Sequence, residues 1–135
     1  MNSKSRIIKT LAIAALIFGA LTIFSGGRAL FGSDEARAAL GNVVPFVLWF
    51  NFTAGFVYVI AGIGLLLVKP WAAPTAVFLA AATVLVSLAM TIYAATGGAF
   101  EMRTVGALAI RSLFWIAIAF VAVRAVKSGS PALNP

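Results

Sequence analysis

The chain contains no cysteine and no histidine, and only three of its 135 residues are acidic. The absence of cysteine and histidine excludes disulfides, thiol redox chemistry, zinc sites, iron–sulfur clusters and histidine-ligated haem. Asp34 and Glu35 are neighbours in sequence, so their side chains point in different directions on a helix. With Glu101 as the remaining carboxylate, the sequence predicts no metal site and no cofactor, and it offers no catalytic residue set.

Apolar residues dominate what is present. The chain is 63% hydrophobic and 10% charged, with a mean hydropathy of +1.10. A soluble domain averages roughly 25% charged residues, and a chain of this size has too little interior to hide so much apolar surface. The net charge of +7 comes from basic residues at the ends of apolar runs. That pattern is typical of membrane topology, so we expect the lipid bilayer as partner and no nucleic acid.

A stretch of 26 residues without a charge runs from Val43 to Val68 and ends at Lys69-Pro70. About 20 apolar residues are enough for a helix to cross the hydrocarbon core of a bilayer. Three further apolar runs predict membrane-spanning helices on the same ground. The predicted spans are about 7–25, 43–68, 71–96 and 104–126. We therefore expect an all-α fold, a four-helix transmembrane bundle that forms a single integral membrane domain over residues 1–135.

A short helix, about 34–40, is predicted at the membrane interface between spans one and two. Ser33 suits an N-cap, two acidic residues follow it, and Gly41 suits the stop. An ordered turn is the alternative. Gly26-Gly27 is expected to end span one before this loop, and the polar terminal tail 128–135 is expected to be mobile.

Orientation follows from the distribution of basic residues. One side of the predicted membrane collects Lys4, Arg6, Lys9, Lys69, Arg124 and Lys127. The other side collects Arg28, Arg37 and Arg103. The positive-inside rule then places both termini in the cytoplasm of a multi-pass protein in a bacterial inner membrane.

Small residues recur at helical spacing in three spans. Small side chains let helix backbones approach closely in lipid, so these faces are predicted to pack inside the bundle. The faces are Ala12, Ala15, Gly19, Thr22 and Gly26 in span one; Asn51, Gly55, Tyr58 and Gly62 in span two; and Ala76, Ala80, Thr83, Ser87 and Thr91 in span three.

Arg111 lies inside the fourth predicted span, roughly 10 Å from its nearer end at 1.5 Å per residue. A charge in the hydrocarbon costs about 2.5–3.5 kcal/mol, so such residues usually face the bundle interior and have a partner. The other spans carry polar side chains at similar depth. The predicted intramembrane polar cluster is Arg111, Asn51, Thr91 and Tyr93, with Thr22 and Tyr58 nearby and Glu101 as the acidic candidate.

Two interpretations of this cluster stay open. Polar residues between membrane helices often serve as structural contacts worth on the order of 0.6 kcal/mol each, and an arginine near a helix end can extend to lipid phosphate. The alternative is a site that binds or conducts a small anionic or quinone-like ligand. A direct ion pair between Arg111 and Glu101 requires a break in span four, since a continuous helix separates them by about 15 Å.

The order of glycines resembles a known family. Phe18-Gly19, Gly26-Gly27 and Leu30-Phe31 in span one, with Ala54-Gly55 and the run 61–65 (AGIGL) in span two, are similar to the DoxX-like group of small bacterial four-helix membrane proteins. The resemblance implies the four-span architecture. Some members of that group are subunits of quinone-linked oxidoreductases, but no catalytic residue carries over to this chain.

Three functions fit these observations. The first is a non-catalytic accessory or scaffold subunit, with a membrane protein partner or a homo-oligomer. The second is a small permease or channel whose polar site around Arg111 faces outward. The third is a quinone-associated oxidoreductase subunit, which cannot carry electrons alone because it has no metal ligand set. The sequence favours a protein that is not an enzyme.

Overall fold

The computed structural model describes residues 3–127, which form four long helices and one short one. In chain order they are α1 Ser3–Phe31, α2 Asp34–Ala38, α3 Pro45–Leu66, α4 Ala72–Ala95 and α5 Met102–Lys127. No strand occurs within these residues. The predicted all-α bundle, with a short helix between the first two spans, is confirmed. The tail 128–135 lies outside the described residues.

All four long helices have the length and apolar composition needed to cross a membrane. Many of their large apolar side chains point outward: Leu85 is 65% exposed, Ile92 65% and Leu113 69%. Alanines such as Ala15 and Ala76 are fully buried instead. A soluble protein buries its large apolar side chains, so this distribution identifies lipid as the medium around the bundle. The chain is a small multi-pass integral membrane protein.

The helices form a ring in the order α1, α3, α4, α5. α1 packs extensively on α3 and α4 on α5, while α3 with α4 and α1 with α5 make fewer contacts. One end of the bundle carries α2 and the α4–α5 loop, and we call it the α2 end. The other, the terminal end, carries the start of α1, the α3–α4 turn and the end of α5. The sparse contact between α1 and α5 leaves the space for the site described below.

Glycines bring α1 and α3 together. A Cβ atom at Gly19 would lie 2.8 Å from Val59 and 3.0 Å from the carbonyl oxygen of Gly55. A Cβ at Gly62 would lie 3.1 Å from the carbonyl oxygen of Ala12. The five small residues predicted to form the packing face of the first span are all buried. The predicted face of span one is thus confirmed as the α1–α3 interface.

The sequence predicts that α1 ends at Gly26-Gly27, but the helix continues to Phe31. Both glycines lie against Phe52 of α3, whose ring and backbone occupy the space that a Cβ at Gly26 would need, at 3.1–3.3 Å. Gly26 therefore permits a close helix contact, and neither glycine terminates the helix. Helix propensity in isolation favours a stop at two glycines, but tertiary packing outweighs it here.

The short helix α2 begins as predicted. The Ser33 hydroxyl accepts a hydrogen bond from the backbone N–H of Ala36, at 3.1 Å. α2 ends at Ala38, and turn hydrogen bonds carry the chain on to Gly41, which has φ +73°. Only glycine adopts that backbone conformation without strain. The turn directs the chain back toward the bundle and into α3.

Candidate functional site

A cavity of about 360 Å³ lies between α1, α3 and α5 at the α2 end. We call it the main cavity. Its walls include Thr22, Ser25 and Gly26 from α1, Val47, Leu48 and Asn51 from α3 with Val44 just before it, and Thr104, Ala107 and Arg111 from α5. Leu40, Asn42, Glu101 and Arg103 surround its mouth. The cavity fills the gap that the sparse α1–α5 contact leaves open.

Arg111 forms the base of the main cavity, roughly 14 Å below the first residue of α5 at 1.5 Å per residue. Its Nη2 atom donates a hydrogen bond to the Thr22 hydroxyl of α1, at 3.2 Å. The guanidinium carbon lies 5.0 Å from the centre of the Phe18 ring, within range of a cation–π interaction. Arg111 thus reaches across the bundle to α1.

Four aromatic rings lie beneath the guanidinium and form what we call the aromatic floor: Phe18, Tyr58, Phe114 and Trp115. Ring centres are 5.5 Å apart for Phe18–Tyr58, 5.1 Å for Phe18–Phe114 and 4.9 Å for Tyr58–Trp115. Tyr58 and Trp115 are fully buried. Aromatic pairs at this spacing each contribute about 0.5–1.5 kcal/mol beyond their buried area, so the floor is rigid.

Several buried polar atoms around this floor have no hydrogen-bond partner within the described part of the chain: Asn51 Oδ1, Tyr58 OH, Arg111 Nε and Trp115 Nε1. The polar side chains near the Tyr58 hydroxyl are Arg111, Trp115 and Thr83. An unpaired buried polar group costs about 1–3 kcal/mol. Because Arg111, Trp115 and Thr83 lie within hydrogen-bond reach of the Tyr58 hydroxyl, small side-chain rotations can satisfy several of these groups within the bundle.

Arg111 pairs with no carboxylate among residues 3–127, although all three acidic residues lie within them. Glu101 is engaged elsewhere: its Oε2 atom accepts the backbone N–H of Asn42 at 3.0 Å and the Asn42 side-chain amide at 3.1 Å. α5 is continuous from Met102 onward, without the break that a direct Glu101–Arg111 pair requires. The guanidinium charge is therefore uncompensated by the described residues.

Hydrogen bonds of two side chains connect the chain segments on either side of the mouth of the main cavity. Glu101 holds Asn42, and Arg103 donates a hydrogen bond to the carbonyl oxygen of Leu40. A Cβ at Gly41 would lie 2.9 Å from the Glu101 carboxylate, so glycine is also needed there for space. We call these contacts the loop clamp. They connect the α4–α5 loop to the α2–α3 turn across the bundle.

The terminal half of the bundle is closed by apolar packing. Ile8, Leu65, Leu79 and Ile118 are each at most 2% exposed and belong to one hydrophobic cluster, whose remaining gaps are filled by alanines. Tyr58 and Trp115 of the aromatic floor belong to the same cluster, so the floor continues into apolar packing toward the terminal end. The charged residues of the main cavity's mouth lie at the α2 end.

The structure brings together most of the predicted polar cluster. Arg111, Asn51, Thr22 and Glu101 all line the main cavity, and Tyr58 lies directly beneath it. Their function as a site stays a prediction.

Two predicted members of the cluster lie elsewhere. Thr91 is exposed on α4 and donates to the carbonyl oxygen of Ser87, and the Tyr93 hydroxyl donates to the carbonyl oxygen of Ala99. Successive steps of four residues rotate about 40° around a helix of 3.6 residues per turn. The stripe on α4 is therefore buried at Thr83, half-buried at Ser87 and exposed at Thr91.

Ser87 and Thr91 border a second cavity, of about 400 Å³, between α4 and α5. We call it the α4–α5 groove. Its walls are mainly apolar and include Met90, Phe100 and Leu108. At its deep end the Ser87 and Ser112 hydroxyls lie 3.2 Å apart, in hydrogen-bond contact between the two helices. No charged side chain lines the α4–α5 groove, which distinguishes it from the main cavity.

Sequence reasoning missed the aromatic floor and the loop clamp. Trp115 lies four residues after Arg111, and Phe18 lies four residues before Thr22, so helical spacing already places each pair on one face. The clamp has no comparable signal, because it joins Asn42 to Glu101 across 59 residues of sequence. Loop contacts of this kind depend on the relative placement of helices, which a single sequence does not encode locally.

No family model, curated protein or solved structure matches this chain. The resemblance to DoxX-like proteins therefore stays a prediction, and the function has to be argued from the site itself. Among residues 3–127 no group of three His, Cys, Asp or Glu side chains could hold a metal ion. What the main cavity offers is the positive charge of Arg111, a few polar side chains such as Asn51, and apolar walls.

Proposed function

We propose that this protein binds a small anionic ligand in the main cavity, as a multi-pass protein of a bacterial inner membrane with the α2 end facing outward. One observation carries the proposal: the Arg111 guanidinium, at the base of the main cavity, has no carboxylate partner among residues 3–127. A ligand anion would provide the missing countercharge. The proposal develops the predicted permease-like site and does not require catalysis.

The energetics support an anion at this position. Placing an arginine inside a membrane costs about 2.5–3.5 kcal/mol on insertion scales. One hydrogen bond to Thr22 and one ring contact with Phe18 offset part of that cost. Charge-assisted hydrogen bonds to a bound anion are roughly twice as strong as neutral ones. Binding is therefore the arrangement in which the guanidinium is best stabilised.

Closure of the terminal half supports binding rather than conduction. A conducting pore needs a continuous polar path, whereas Leu65, Leu79 and Ile118 pack beneath the aromatic floor. A transport cycle would require this packing to open while the main cavity closes. The proposal is thus a binding protein, or the outward-open state of a carrier.

Calorimetry with purified protein in lipid nanodiscs tests the proposal. Benzoate serves as the anion, and Arg111→Met is compared with wild type. We expect wild type to bind benzoate and Arg111→Met to bind it at least tenfold more weakly, because the buried positive charge is lost. Arg28→Met is the matched control, since Arg28 is an exposed arginine on α1 outside the main cavity. Equal binding by Arg111→Met would rule out the proposal.

An accessory subunit is a second candidate, and a specific surface favours it. Phe31, Trp49, Phe52 and Phe56 form a ladder of edge-to-face rings along α1 and α3, with successive centres 6.1, 6.4 and 5.2 Å apart. Phe31, Trp49 and Phe56 are each about half exposed or more. In lipid, helix association depends on van der Waals packing, which a rigid aromatic surface provides well.

The aromatic ladder can be tested by replacing two of its rings with leucine. Trp49→Leu with Phe56→Leu should release a stoichiometric membrane protein partner, or dissociate a homo-oligomer, in mild detergent. Phe78→Leu with Phe120→Leu is the control, because these exposed rings belong to α4 and α5. A monodisperse monomer from native membranes, without any partner, would count against this candidate.

A further inference from the structure

We propose that the α4–α5 groove holds one acyl chain of a phospholipid from the leaflet at the α2 end. This site is separate from the main cavity, and the inference stands whether or not an anion binds to Arg111. Four observations lead to it: the hydrogen bonds of the groove's hydroxyls, its uncharged walls, its depth, and the surface on which it opens.

The hydroxyl groups that line the α4–α5 groove use their protons within the two helices. Ser87 donates to the carbonyl oxygen of Thr83 at 2.8 Å, and Thr91 donates to the carbonyl oxygen of Ser87 at 2.9 Å. Because the Ser87 proton is used in this way, Ser112 donates in the 3.2 Å contact between the two serine hydroxyls. An apolar occupant can therefore lie against these side chains without leaving a donor unpaired.

The remaining walls of the α4–α5 groove are apolar, and every residue that lines it is uncharged. Ala94 and Ala109 leave space between the two helices because their side chains are short. A charged ligand would lose its hydration here without gaining a countercharge. A hydrocarbon chain would instead make dispersion contacts along the walls. The walls thus favour a chain that is apolar over its whole length.

The depth of the α4–α5 groove matches one leaflet of a bilayer. The groove extends along α5 from Met102, the first residue of that helix, to Ser112. These residues lie about 15 Å apart at the helical rise of 1.5 Å per residue. The hydrocarbon core of a bilayer is about 30 Å thick, so one leaflet contributes about 15 Å. An acyl chain whose headgroup lies near the α4–α5 loop would reach the two serines with its far end.

The α4–α5 groove opens on the outer surface of the bundle. Its inner side is formed by Met90 and Leu108, which pack with Val44 and Val47 in a second hydrophobic cluster. Other lining residues, such as Met102, are exposed. Exposed apolar side chains on the same two helices identify this outer surface as the one that contacts lipid. A phospholipid chain can therefore enter the groove sideways from the bilayer.

Photolabelling of the full-length protein in nanodiscs tests this inference. The probe is a phosphatidylcholine that carries a diazirine on one acyl chain, and mass spectrometry identifies the labelled residues. We expect the groove residues to be labelled at least fivefold more than Ile92 and Ile110, which are exposed on α4 and α5 outside the groove. The reason is that a held chain stays beside its contacts longer than a freely exchanging one.

The position of the diazirine on the chain tests the direction of the occupant. A diazirine near the headgroup should label Met102 and Val105, which lie at the α2 end of the groove. A diazirine near the end of the chain should label Ser87 and Ser112 instead. The same labelling pattern from both probes would contradict a chain that lies along the groove.

Filling the α4–α5 groove provides a second test. Ala94→Phe with Ala109→Phe should lower the labelling of the groove residues at least fivefold, because the two rings take the place of the chain. Ala81→Phe with Ala117→Phe is the matched control, since both alanines are exposed on α4 and α5 outside the groove. A circular dichroism melt within a few degrees of wild type shows that each variant is folded.

The wild-type measurement can overturn the inference without any variant. Equal labelling inside and outside the α4–α5 groove would mean that only freely exchanging lipid contacts it. Weaker labelling inside the groove than outside would mean that a protein segment, such as a second copy of this chain, covers it. A folded Ala94→Phe with Ala109→Phe variant that is labelled like wild type would also contradict the inference. None of these results bears on anion binding in the main cavity.

Discussion

Gly55 shows how single residues determine the approach of α1 to α3. A Cβ at this position would lie 2.9 Å from the Ile23 side chain and 3.3 Å from the Ile23 backbone nitrogen. A backbone nitrogen cannot move aside as the end of a flexible side chain can. The closest approach of the two helices therefore depends on the absence of one methyl group.

We expect Gly55→Ala to destabilise the protein by about 1–3 kcal/mol, the usual cost of overpacking a tight interface. Gly106→Ala is the matched control, because nothing lies within 4 Å of a Cβ there. Alanine favours a helix by roughly 0.5–1 kcal/mol over glycine, so this control should be neutral or slightly stabilising. Thermal unfolding in detergent measures both variants. Equal melting temperatures would contradict the α1–α3 packing described above.

For single residues, the sequence predicts burial correctly where helical spacing alone determines which side chains face the bundle interior. Ala12, Ala15 and Gly19 recur at helical intervals, and all three are buried as predicted. The sequence does not predict the outcome where a residue type suits two roles, such as ending a helix and allowing a close helix contact. Gly26 looks like a helix stop, but it accommodates Phe52. Which role applies depends on a ring from another helix, and that partner is not visible from the local sequence.

Among the elements, the loop clamp has a clear consequence for stability. Glu101 supplies one carboxylate oxygen to both nitrogens of Asn42, while the apolar support of this turn begins only at Val44, which packs in a second hydrophobic cluster. We expect Glu101→Ala to raise hydrogen–deuterium exchange at residues 39–44 by at least tenfold while exchange in α4 stays unchanged. Glu35→Ala is the control, since Glu35 is an exposed carboxylate on α2. Unchanged exchange in the turn would show that the clamp does not hold it.

The ends of α3 and α4 illustrate what element boundaries depend on. Both helices end with the same pair of backbone hydrogen bonds. In α3 the N–H of Lys69 donates to the carbonyl oxygen of Gly64, and the N–H of Val68 donates to that of Leu65. In α4 the N–H of Gly98 donates to the carbonyl oxygen of Tyr93, and the N–H of Gly97 donates to that of Ala94. The residue that follows the C-cap has φ +94° at Gly97 but φ +60° at Val68. The glycine stop of α4 was predictable from sequence, while the valine at the matching position of α3 was not.

We expect Gly97→Val to lower the stability of the α2 end by about 1–2 kcal/mol, because a β-branched residue is strained at positive φ. Val68 tolerates this conformation because it packs against the main hydrophobic cluster, whereas nothing lies within 4 Å of a Cβ at Gly97. Chemical denaturation in mixed micelles measures the change. Gly27→Ala is the comparison, since a Cβ at this helical position lies 3.7 Å from Phe52, an ordinary contact. A Gly97→Val variant as stable as wild type would contradict the strain.

For the whole molecule, the sequence alone predicts the number of helices, their apolar character and the short helix between the first two. Those features depend on local composition and length. The position of Arg111 inside the bundle was also predictable, because a charged side chain in the hydrocarbon is costly unless it faces the bundle interior. The gap between α1 and α5, and hence the main cavity, was not. It results from how four helices divide their contacts around a ring.

The absence of cysteine makes the topology directly testable. We expect Ser33→Cys at the α2 end to react with a membrane-impermeant maleimide in intact cells. Lys69→Cys at the terminal end should react only after the cells are opened. Both positions are exposed, so the difference reports sidedness and not burial. The opposite pattern would place the main cavity on the cytoplasmic side and contradict the positive-inside assignment.

Below the aromatic floor, apolar packing of the described residues leaves no polar path from the main cavity to the terminal end. A solute in the main cavity can reach the other side of the membrane only if helices separate there. The protein reconstituted into a planar bilayer should accordingly carry no steady ionic current at any applied voltage. Any permeation would have to be slow, occur one solute at a time, and saturate as the concentration rises.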